Sequence, residues 1–140
     1  MTRIERIYTD MKHEEITNKI IQAYYNVYNT LGFGFLEKVY ENAMYLELVK
    51  LGLSVKRQVS IKVHYDGQQI GDYYADLIVD DLVIIELKAD DALCEEHSYQ
   101  LVNYLKATNI EVGLLFNFGQ KPQIKRKIFD NEFKRSIKIR

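Results

Sequence analysis

ADLIVDDLVIIELKA, residues 75–89, decides the fold because it contains two apolar segments separated by a pair of adjacent aspartates. Alternation in the first segment and an almost continuous apolar run in the second predict an antiparallel hairpin whose second strand is buried. Glu86 and Lys88 nevertheless lie in the most hydrophobic run of the chain. Charged side chains are almost never fully buried unless they are paired or hold a metal. This hairpin therefore predicts either an ion pair or a functional site.

The turn of the hairpin determines which side chains meet across it. Glu86 and Lys88 project from the same face because side chains alternate along a strand. A two-residue turn at Asp80-Asp81 would pair Ala75 with Glu86 and send Asp76 to the opposite face. A turn with an odd number of residues, such as 80–82, brings Asp76 directly across from Glu86. We therefore predict an odd-length turn or a bulge.

Asp76, Glu86 and Lys88 suit metal-assisted chemistry if they meet. Two buried carboxylates repel each other and tend to stay protonated, and a divalent cation removes that conflict. Oxygen ligands without nearby thiolate or histidine favour Mg²⁺ or Mn²⁺ over Zn²⁺. Lys88 can then position or deprotonate a water, or neutralise charge on a phosphate. A salt bridge or a helix interface is the open alternative, because a D…ExK spacing often arises by chance.

The rest of the chain places this hairpin in an α+β (α/β) domain. Apolar spacings of three and four predict helices over residues 14–31, 36–51 and 93–107. Alternating or continuous apolar patterns predict strands over residues 55–65, 70–79, 82–88, 111–119 and 123–129. The predicted order α-α-β-β-β-α-β-β indicates a single domain over residues 1–140, with helices packed over a central mixed sheet.

Two of these segments give explicit predictions of the side chains that share a face. In the second helix, the spacing predicts these core-facing residues: Leu36, Val39, Tyr40, Ala43, Met44 and Leu46. In the first strand, a period of two predicts this common face: Val55, Arg57, Val59, Ile61, Val63 and Tyr65.

Two further motifs carry polar residues on helices. Gly34, Glu37 and Tyr40 form G-x-x-E-x-x-Y at the start of the second helix, where Glu37 can be aimed at a cavity or simply be favoured by the helix dipole. HSYQLVNYL places three polar groups on one face of the third helix: His97, Gln100 and Tyr104. Core-facing polar groups need partners, which a phosphate, metal-bound water or ordinary internal hydrogen bonds would supply.

Charge is distributed unevenly along the chain. Residues 121–140 carry eight Lys or Arg and two acids, whereas residues 1–120 carry eleven and eighteen. A basic end beside an acidic body is typical of one surface that contacts phosphate and another that holds cations, although a solvated terminal element is the alternative. The lone cysteine, Cys94, and the polar start of the chain predict a cytoplasmic protein without a membrane segment.

Taken together, the motifs resemble those of the GxxExxY proteins of the PD-(D/E)xK nuclease superfamily, over about residues 14–130. The shared elements are Gly34-x-x-Glu37-x-x-Tyr40, Asp76, Glu86-Leu87-Lys88, Gln100-x-x-x-Tyr104 and GLLFNFG. The resemblance implies a restriction-endonuclease-like fold, with a central mixed sheet flanked by helices. One departure is that Ala75, rather than proline, precedes Asp76.

The resemblance also implies an activity: Mg²⁺- or Mn²⁺-dependent hydrolysis of phosphodiester bonds, in DNA by our interpretation. The implied metal ligands are Asp76, Glu86 and Glu37. The implied catalytic set is Glu37, Asp76, Glu86, Lys88, Gln100 and Tyr104. The residues expected to contact nucleic acid are Tyr104, Lys121, Lys125, Arg126, Lys127, Lys134 and Arg135.

A non-catalytic nucleic-acid-binding or assembly module that retains the fold is the alternative. The cluster Tyr24, Tyr25 and Tyr28 suits a partner surface as well as core packing. The small size leaves little surface for base recognition, so a homodimer, a protein partner or recognition of DNA shape is expected to select the target.

Overall fold

The computed structural model describes residues 13–134, which form three α-helices and a five-stranded mixed sheet. The helices are α1 (Glu14–Leu31), α2 (Glu37–Lys50) and α3 (Glu95–Lys106). The strands are β1 (Val55–Tyr65), β2 (Gln68–Val79), β3 (Val83–Lys88), β4 (Val112–Phe118) and β5 (Pro122–Ile128). This arrangement confirms the predicted fold class and order of elements. Across the described part, no helix combines the length and apolarity needed to cross a membrane.

The sheet has the spatial order β1-β2-β3-β4-β5. Only the β3–β4 pair is parallel, and α3 makes the crossover that a parallel connection requires. The other neighbouring pairs are antiparallel. β3 and β4 are buried along almost their whole length, which explains their continuous apolar sequences. β5 is an edge strand, where lysines discourage further strand pairing.

Helices cover both faces of the sheet and create two apolar clusters. On one face, α1 and α2 pack against β2, β3 and β4 around these side chains: Tyr24, Tyr40, Met44, Leu77, Ile85, Leu87, Leu114 and Phe116. On the other face, α3 packs against the sheet around these: Ile61, Ala75, Ile78, Ile84, Leu101, Tyr104, Leu105 and Leu115. The end of β3 is therefore enclosed from both sides.

The predicted core face of α2 is partly wrong. Leu36, Val39 and Leu46 are 81%, 39% and 62% exposed. The buried positions instead recur every four residues at Tyr40, Met44 and Leu48, which form the row that contacts the sheet. The exposed apolar residues lie off this row, and Leu36 precedes the helix as its N-cap.

The prediction that β1 presents one continuous apolar face is also wrong, because the strand changes face at Gln58. Val55 packs against the α1–α2 cluster, whereas Val59 and Ile61 pack against the α3 cluster. Gln58 has a left-handed φ of 46° in mid-strand. The β1–β2 register pairs Arg57 with Leu77 and Val59 with Ala75 and omits Gln58 between them. β2 changes face at the same level, because Leu77 and Ala75 belong to different clusters.

Candidate functional site

The β2–β3 turn has the odd length required to bring the two acids together. Val79 pairs with Val83, so three residues, 80–82, form the turn. Asp80 and Asp81 both have left-handed φ values, which aspartate tolerates better than most residues. The Asp80 carboxylate accepts a hydrogen bond of 2.8 Å from the Ser54 backbone N–H, which fixes the turn to the start of β1. The predicted odd-length turn is confirmed.

Asp76 and Glu86 meet where the β2–β3 ladder ends. The last backbone pair is Leu77 with Ile85, so the next pair along the register is Asp76 and Glu86. The Asp76 N–H donates to Glu86 Oε1 at 3.2 Å, and the Leu87 N–H donates to Asp76 Oδ2 at 2.8 Å. These side chains replace the next rungs of the ladder. The two carboxylates therefore lie side by side because the sheet opens at this level.

Glu86 is only 2% exposed, and this burial dominates its electrostatics. Burial, the largest cause, and the charge of Asp76 together raise the pKa of Glu86 to about 9, with Lys88 partly opposing both effects. The Glu86 carboxyl therefore holds a proton at neutral pH unless another positive charge enters the site. Paired hard oxygens with this charge conflict fit a divalent cation.

Glu37 approaches the same region from the start of α2. Partial burial of this carboxyl raises its pKa, Lys88 opposes that rise, and Asp76 adds to it. Glu37 is therefore within electrostatic range of the acidic pair. Among residues 13–134, no group of three or more His, Cys, Asp or Glu side chains is close enough to hold one metal ion. The role of Glu37 as a third ligand stays a prediction.

Lys88 lies at the end of β3 and is half-buried. Its charge lowers the pKa of both Glu37 and Glu86, so its ammonium is close enough to influence both. Within the described residues, none of the ion pairs of 4.0 Å or less includes Lys88. The simple Glu86–Lys88 salt bridge considered from the sequence is therefore not formed there.

Gln100 and Tyr104 approach the acidic pair from α3. The Gln100 side-chain amide donates to the Tyr104 hydroxyl at 2.8 Å. Burial, the largest cause, and the charge of Glu86 together raise the pKa of Tyr104 to about 12. The phenol thus keeps its proton at neutral pH and can donate it to an anion. The two residues act as a unit, with Gln100 fixing the direction of the hydroxyl.

His97 is engaged in internal contacts, as one of the open readings of the sequence allowed. Its Nδ1 accepts a hydrogen bond from the Cys94 N–H at 3.2 Å, which caps the start of α3. Its Nε2 is 3.2 Å from Asp90 Oδ2. Because Nδ1 accepts, the proton of a neutral ring lies on Nε2 and is donated to Asp90. Both ring nitrogens are therefore occupied.

Gln58 contacts the acidic pair but was not predicted as a site residue. It links Asp76 to Glu41, whose spacing of one helical turn from Glu37 already indicated that it could be aimed at the same cavity. The Gln58 side-chain amide donates to Asp76 Oδ1 at 3.3 Å and also to the Glu41 carboxylate. Burial opposes ionisation of Glu41, but hydrogen bonds from Lys38, Gln58 and Arg57 outweigh it and lower the pKa of this carboxyl. The left-handed backbone of Gln58 aims its side chain between β2 and α2. One feature of the sequence indicated this irregular backbone at Gln58: Arg57 is a charged residue among the apolar residues predicted to share its face.

Asn117 anchors the segment that follows Lys88. It pairs with Lys88 in the parallel β3–β4 ladder and is fully buried. Its side chain accepts from the Asp90 N–H at 3.0 Å and donates to the Asp90 carbonyl at 2.9 Å and to the Gln123 side chain at 3.1 Å. These hydrogen bonds hold Asp90, two residues after Lys88, against β4.

The predicted basic surface is divided by the structure. Lys121, Lys125 and Arg126 are exposed. Lys125 pairs with Leu115 of the α3 cluster, whereas Arg126 pairs with Leu114 of the α1–α2 cluster, so these two point to opposite faces. Lys127 is half-buried and shares the face of Lys125.

Lys134 does not belong to that surface, which corrects the prediction. It is 1% exposed, and its ammonium donates to the Thr108 and Ile110 carbonyls at 3.0 and 2.6 Å. The Lys134 ammonium therefore links the end of the described chain to the loop before β4. Arg135, also predicted to contact nucleic acid, lies outside the described residues.

The tyrosine cluster of α1 serves mainly in packing. Tyr24 is fully buried, stacks on Phe116 with ring centroids 4.4 Å apart, and donates to the Asn117 carbonyl at 2.5 Å. Tyr28 donates to the Gly119 carbonyl at 2.7 Å. Tyr25 alone in the cluster is exposed, at 41%. Two of the three rings therefore stabilise the contact of α1 with β4.

The protein has a mixed sheet covered by helices on both faces, an acidic pair where the β2–β3 ladder ends, and a lysine two residues after Glu86. These features define a restriction-endonuclease-like α+β protein. The sequence profile of the PD-(D/E)XK nuclease superfamily matches residues 14–127, and the chain belongs to that superfamily. Its members are typically nucleases that act on nucleic acid and usually employ divalent metals. The narrower GxxExxY assignment stays a prediction. Comparison with curated proteins and with solved structures finds no match.

Proposed function

We propose that this protein is a metal-dependent nuclease that hydrolyses phosphodiester bonds in DNA. The acidic pair carries the proposal, because the buried Glu86 lies beside Asp76 and Lys88 follows on the same strand. Burial and the neighbouring carboxylate disfavour the ionised form of Glu86 in the absence of a cation. This carboxyl is therefore well suited to binding a cation. Perturbed pKa values of this kind concentrate at functional sites.

Asp76 and Glu86 would hold Mg²⁺ or Mn²⁺, with Glu37 proposed as a further ligand. The donor set supports these ions because carboxylate oxygens are hard ligands, and the nearby His97 has both nitrogens engaged. When bound, the cation supplies positive charge at the phosphate and makes water more acidic.

Lys88, Tyr104 and Gln100 have roles that follow from their own chemistry. The Lys88 ammonium would orient the attacking water, or neutralise charge that develops on the phosphate oxygens. The protonated Tyr104 phenol would donate a hydrogen bond to a phosphate oxygen, with Gln100 fixing its direction. Lys88 and Tyr104 are both electrostatically coupled to Glu86, which supports their action at the acidic pair.

Phosphate contacts away from the acidic pair would come from Lys121, Lys125, Arg126 and Lys127. Glu86 pairs with Leu115, which pairs with Lys125, so one row crosses the sheet from the acidic pair to β5. At about 4.8 Å per strand, the backbones of Glu86 and Lys125 are about 10 Å apart. Contacts of this kind make binding salt-dependent and supply little sequence selectivity. We propose that a homodimer or a protein partner selects the target, in the cytoplasm.

The test is incubation of the purified protein with labelled single-stranded DNA, duplex DNA and RNA. Cleavage of a DNA form is expected with Mn²⁺ or Mg²⁺, and its loss with chelator is expected to be reversed by excess metal. Asp76→Asn, purified identically, is expected to cleave at least about a hundredfold more slowly, which excludes a contaminating nuclease. Metal-dependent binding without cleavage of any form would instead favour a non-catalytic binding module. Cleavage of RNA alone would contradict the DNA assignment.

Gln58 provides a separate prediction, because it holds Asp76 from the side opposite Glu86. Gln58→Ala removes the 3.3 Å hydrogen bond to Asp76, together with the one to Glu41, and leaves both acids of the pair in the sequence. Substitution of groups that orient metal ligands typically lowers metal affinity by about 10- to 100-fold. We expect a loss of that size in a calorimetric titration with Mn²⁺, which needs no cleavage. Gln68→Ala is the control, because Gln68 is an exposed glutamine of the same β1–β2 hairpin; this variant should bind Mn²⁺ like the native protein. Equal affinity of both variants would remove Gln58 from the site.

A further inference from the structure

The loop between α1 and α2 exposes apolar side chains beside the candidate site. This GFGFL loop comprises residues 32–36. Phe33, Phe35 and Leu36 are 55%, 47% and 81% exposed, and Val39 of the first turn of α2 is 39% exposed. Single exposed apolar residues are ordinary, but a contiguous set that includes two aromatic rings indicates a binding surface.

Hydrogen bonds hold the GFGFL loop in one conformation. The buried Tyr40 hydroxyl donates to the Gly32 carbonyl at 2.7 Å and accepts from the Phe35 N–H at 3.2 Å. The Tyr40 ring stacks on Phe118 of β4, with ring centroids 4.0 Å apart. Gly34 has a φ of 110°, a conformation that favours glycine. The exposed rings are therefore presented by a fixed backbone, and not by a loop that could bury them by moving.

The GFGFL loop leads directly into the candidate site. Leu36 is followed by Glu37, whose carboxyl is electrostatically coupled to Lys88 and Asp76. Glu37 is four positions after Phe33, so their Cα atoms are at most about 14 Å apart. That distance is about four nucleotide steps at the roughly 3.4 Å rise of a base-stacked strand. A strand cut at the acidic pair thus has bases within reach of the loop.

Hydrogen bonds connect the GFGFL loop to the β4–β5 turn, which carries an exposed cation. The Gly32 N–H donates to the Tyr28 carbonyl, and the single proton of the Tyr28 hydroxyl is shared between the Gly119 and Gln120 carbonyls. The GFGFL loop is therefore joined, through Tyr28, to the β4–β5 turn. Lys121 follows in that turn and is exposed. Aromatic faces together with a nearby cation suit bases and phosphates, which a purely apolar protein partner would not require.

We propose that Phe33 and Phe35 stack on unpaired bases of a nucleic acid whose scissile phosphodiester lies at Asp76 and Glu86. The proposal rests on the proposed nuclease function and narrows its substrate to strands with unpaired nucleotides near the cleavage point. Base faces inside a duplex are covered by their neighbours, so an aromatic side chain can stack only on a base that is single-stranded, frayed or flipped.

The experiment measures binding in EDTA, where cleavage is suppressed, to three labelled DNA forms: a single strand, a full duplex and a duplex with a single-stranded overhang. A 2-aminopurine base in the unpaired stretch reports stacking through its fluorescence. Phe33→Ala is expected to weaken binding to the single strand and the overhang by about 5- to 100-fold. Duplex binding should change less than about twofold. Phe33→Leu, which keeps the apolar bulk without the flat ring, should resemble Phe33→Ala.

Leu46→Ala is the matched control, because it removes an exposed apolar side chain from α2 away from the loop. It should leave all three affinities unchanged, and thermal melting should show that every variant is folded. Unchanged single-strand affinity or unchanged 2-aminopurine fluorescence in Phe33→Ala overturns the proposal. So does an equal loss for all three DNA forms. Conversion of a native dimer to monomer by Phe33→Ala, with DNA binding unchanged, assigns the loop to self-association and also overturns it.

The design separates this proposal from the nuclease proposal. Metal-dependent cleavage by the native protein with unchanged DNA affinity in Phe33→Ala defeats only the stacking proposal. Selective binding of unpaired strands that depends on Phe33, without cleavage at any metal concentration, defeats only the nuclease activity. A native protein that binds no nucleic acid defeats both.

Discussion

Replacement of Lys88 by methionine is expected to slow phosphodiester cleavage by about a hundredfold to ten-thousandfold without disrupting the fold. Methionine keeps most of the length of the side chain but removes the ammonium that lies near Glu37 and Glu86. No ion pair of 4.0 Å or less among residues 13–134 includes Lys88. Its loss therefore leaves no direct ion-pair partner behind. Single-turnover cleavage at saturating DNA measures the effect, and thermal melting checks the fold.

Lys125→Met is the matched control for this change. Lys125 is exposed on β5, where we propose that it contributes to phosphate binding and not to the chemical step. Its replacement should weaken binding, lower the dependence of affinity on salt, and leave the saturated cleavage rate within about threefold. A Lys88→Met protein that cleaves within threefold of the native rate would show that Lys88 has no part in the chemistry.

The meeting of Asp76 and Glu86 was predictable because strand geometry permits only two outcomes. Alternate projection of side chains places the two acids either on one face or on opposite faces, and the number of turn residues selects between them. The chemistry of a paired-acid site demanded an odd number, and the turn formed by residues 80–82 has it. The α+β order of elements was predictable because each segment has an apolar spacing of three and four, a period of two or a continuous apolar run.

The change of face at Gln58 was not predictable from the same pattern. β1 and β2 change face at the same level, so apolar residues continue to alternate on both sides of Gln58. A period of two in the sequence cannot distinguish this from a straight strand. The backbone that aims Gln58 at Asp76 is a tertiary effect, since its amide contacts lie on β2 and α2.

Lys134 shows a second limit of sequence patterns. Counting basic residues treats each lysine as exposed, because most lysines are. The two carbonyls that Lys134 binds lie 26 and 24 residues earlier in the chain, and neither belongs to a recognisable motif. Exposure of a charged side chain near the end of a domain is therefore decided by tertiary packing that local charge does not encode.

Glu86→Gln is expected to stabilise the metal-free protein at neutral and alkaline pH. The folded pKa of Glu86, about 9, exceeds its ordinary value of 4.5, so folding favours the protonated form. The stability that this group contributes is fully present below about pH 4.5 and is lost as the pH rises towards 9. At pH 7 the loss is on the order of 3 kcal/mol, which glutamine avoids because it never ionises.

Glutamine also preserves the local hydrogen bonds. Its amide oxygen can accept from the Asp76 N–H as Glu86 Oε1 does, and its NH₂ group can donate to the Asp76 carboxylate as the protonated acid would. Urea unfolding in EDTA from pH 5 to pH 9 measures the effect. The native protein should lose stability across this range, and the variant should lose much less. Glu15→Gln, at an exposed position on α1, should change stability by less than about 0.5 kcal/mol.

Addition of Mn²⁺ should reverse the order of stability. A cation that binds the folded native protein stabilises it by mass action, whereas the glutamine variant lacks one anionic ligand and should gain less. A Glu86→Gln protein less stable than the native one by more than about 1 kcal/mol at pH 8 in EDTA would mean that an internal partner already stabilises ionised Glu86. The acidic pair would then be a structural feature that needs no cation, and the strongest physical reason for a metal at this site would be lost.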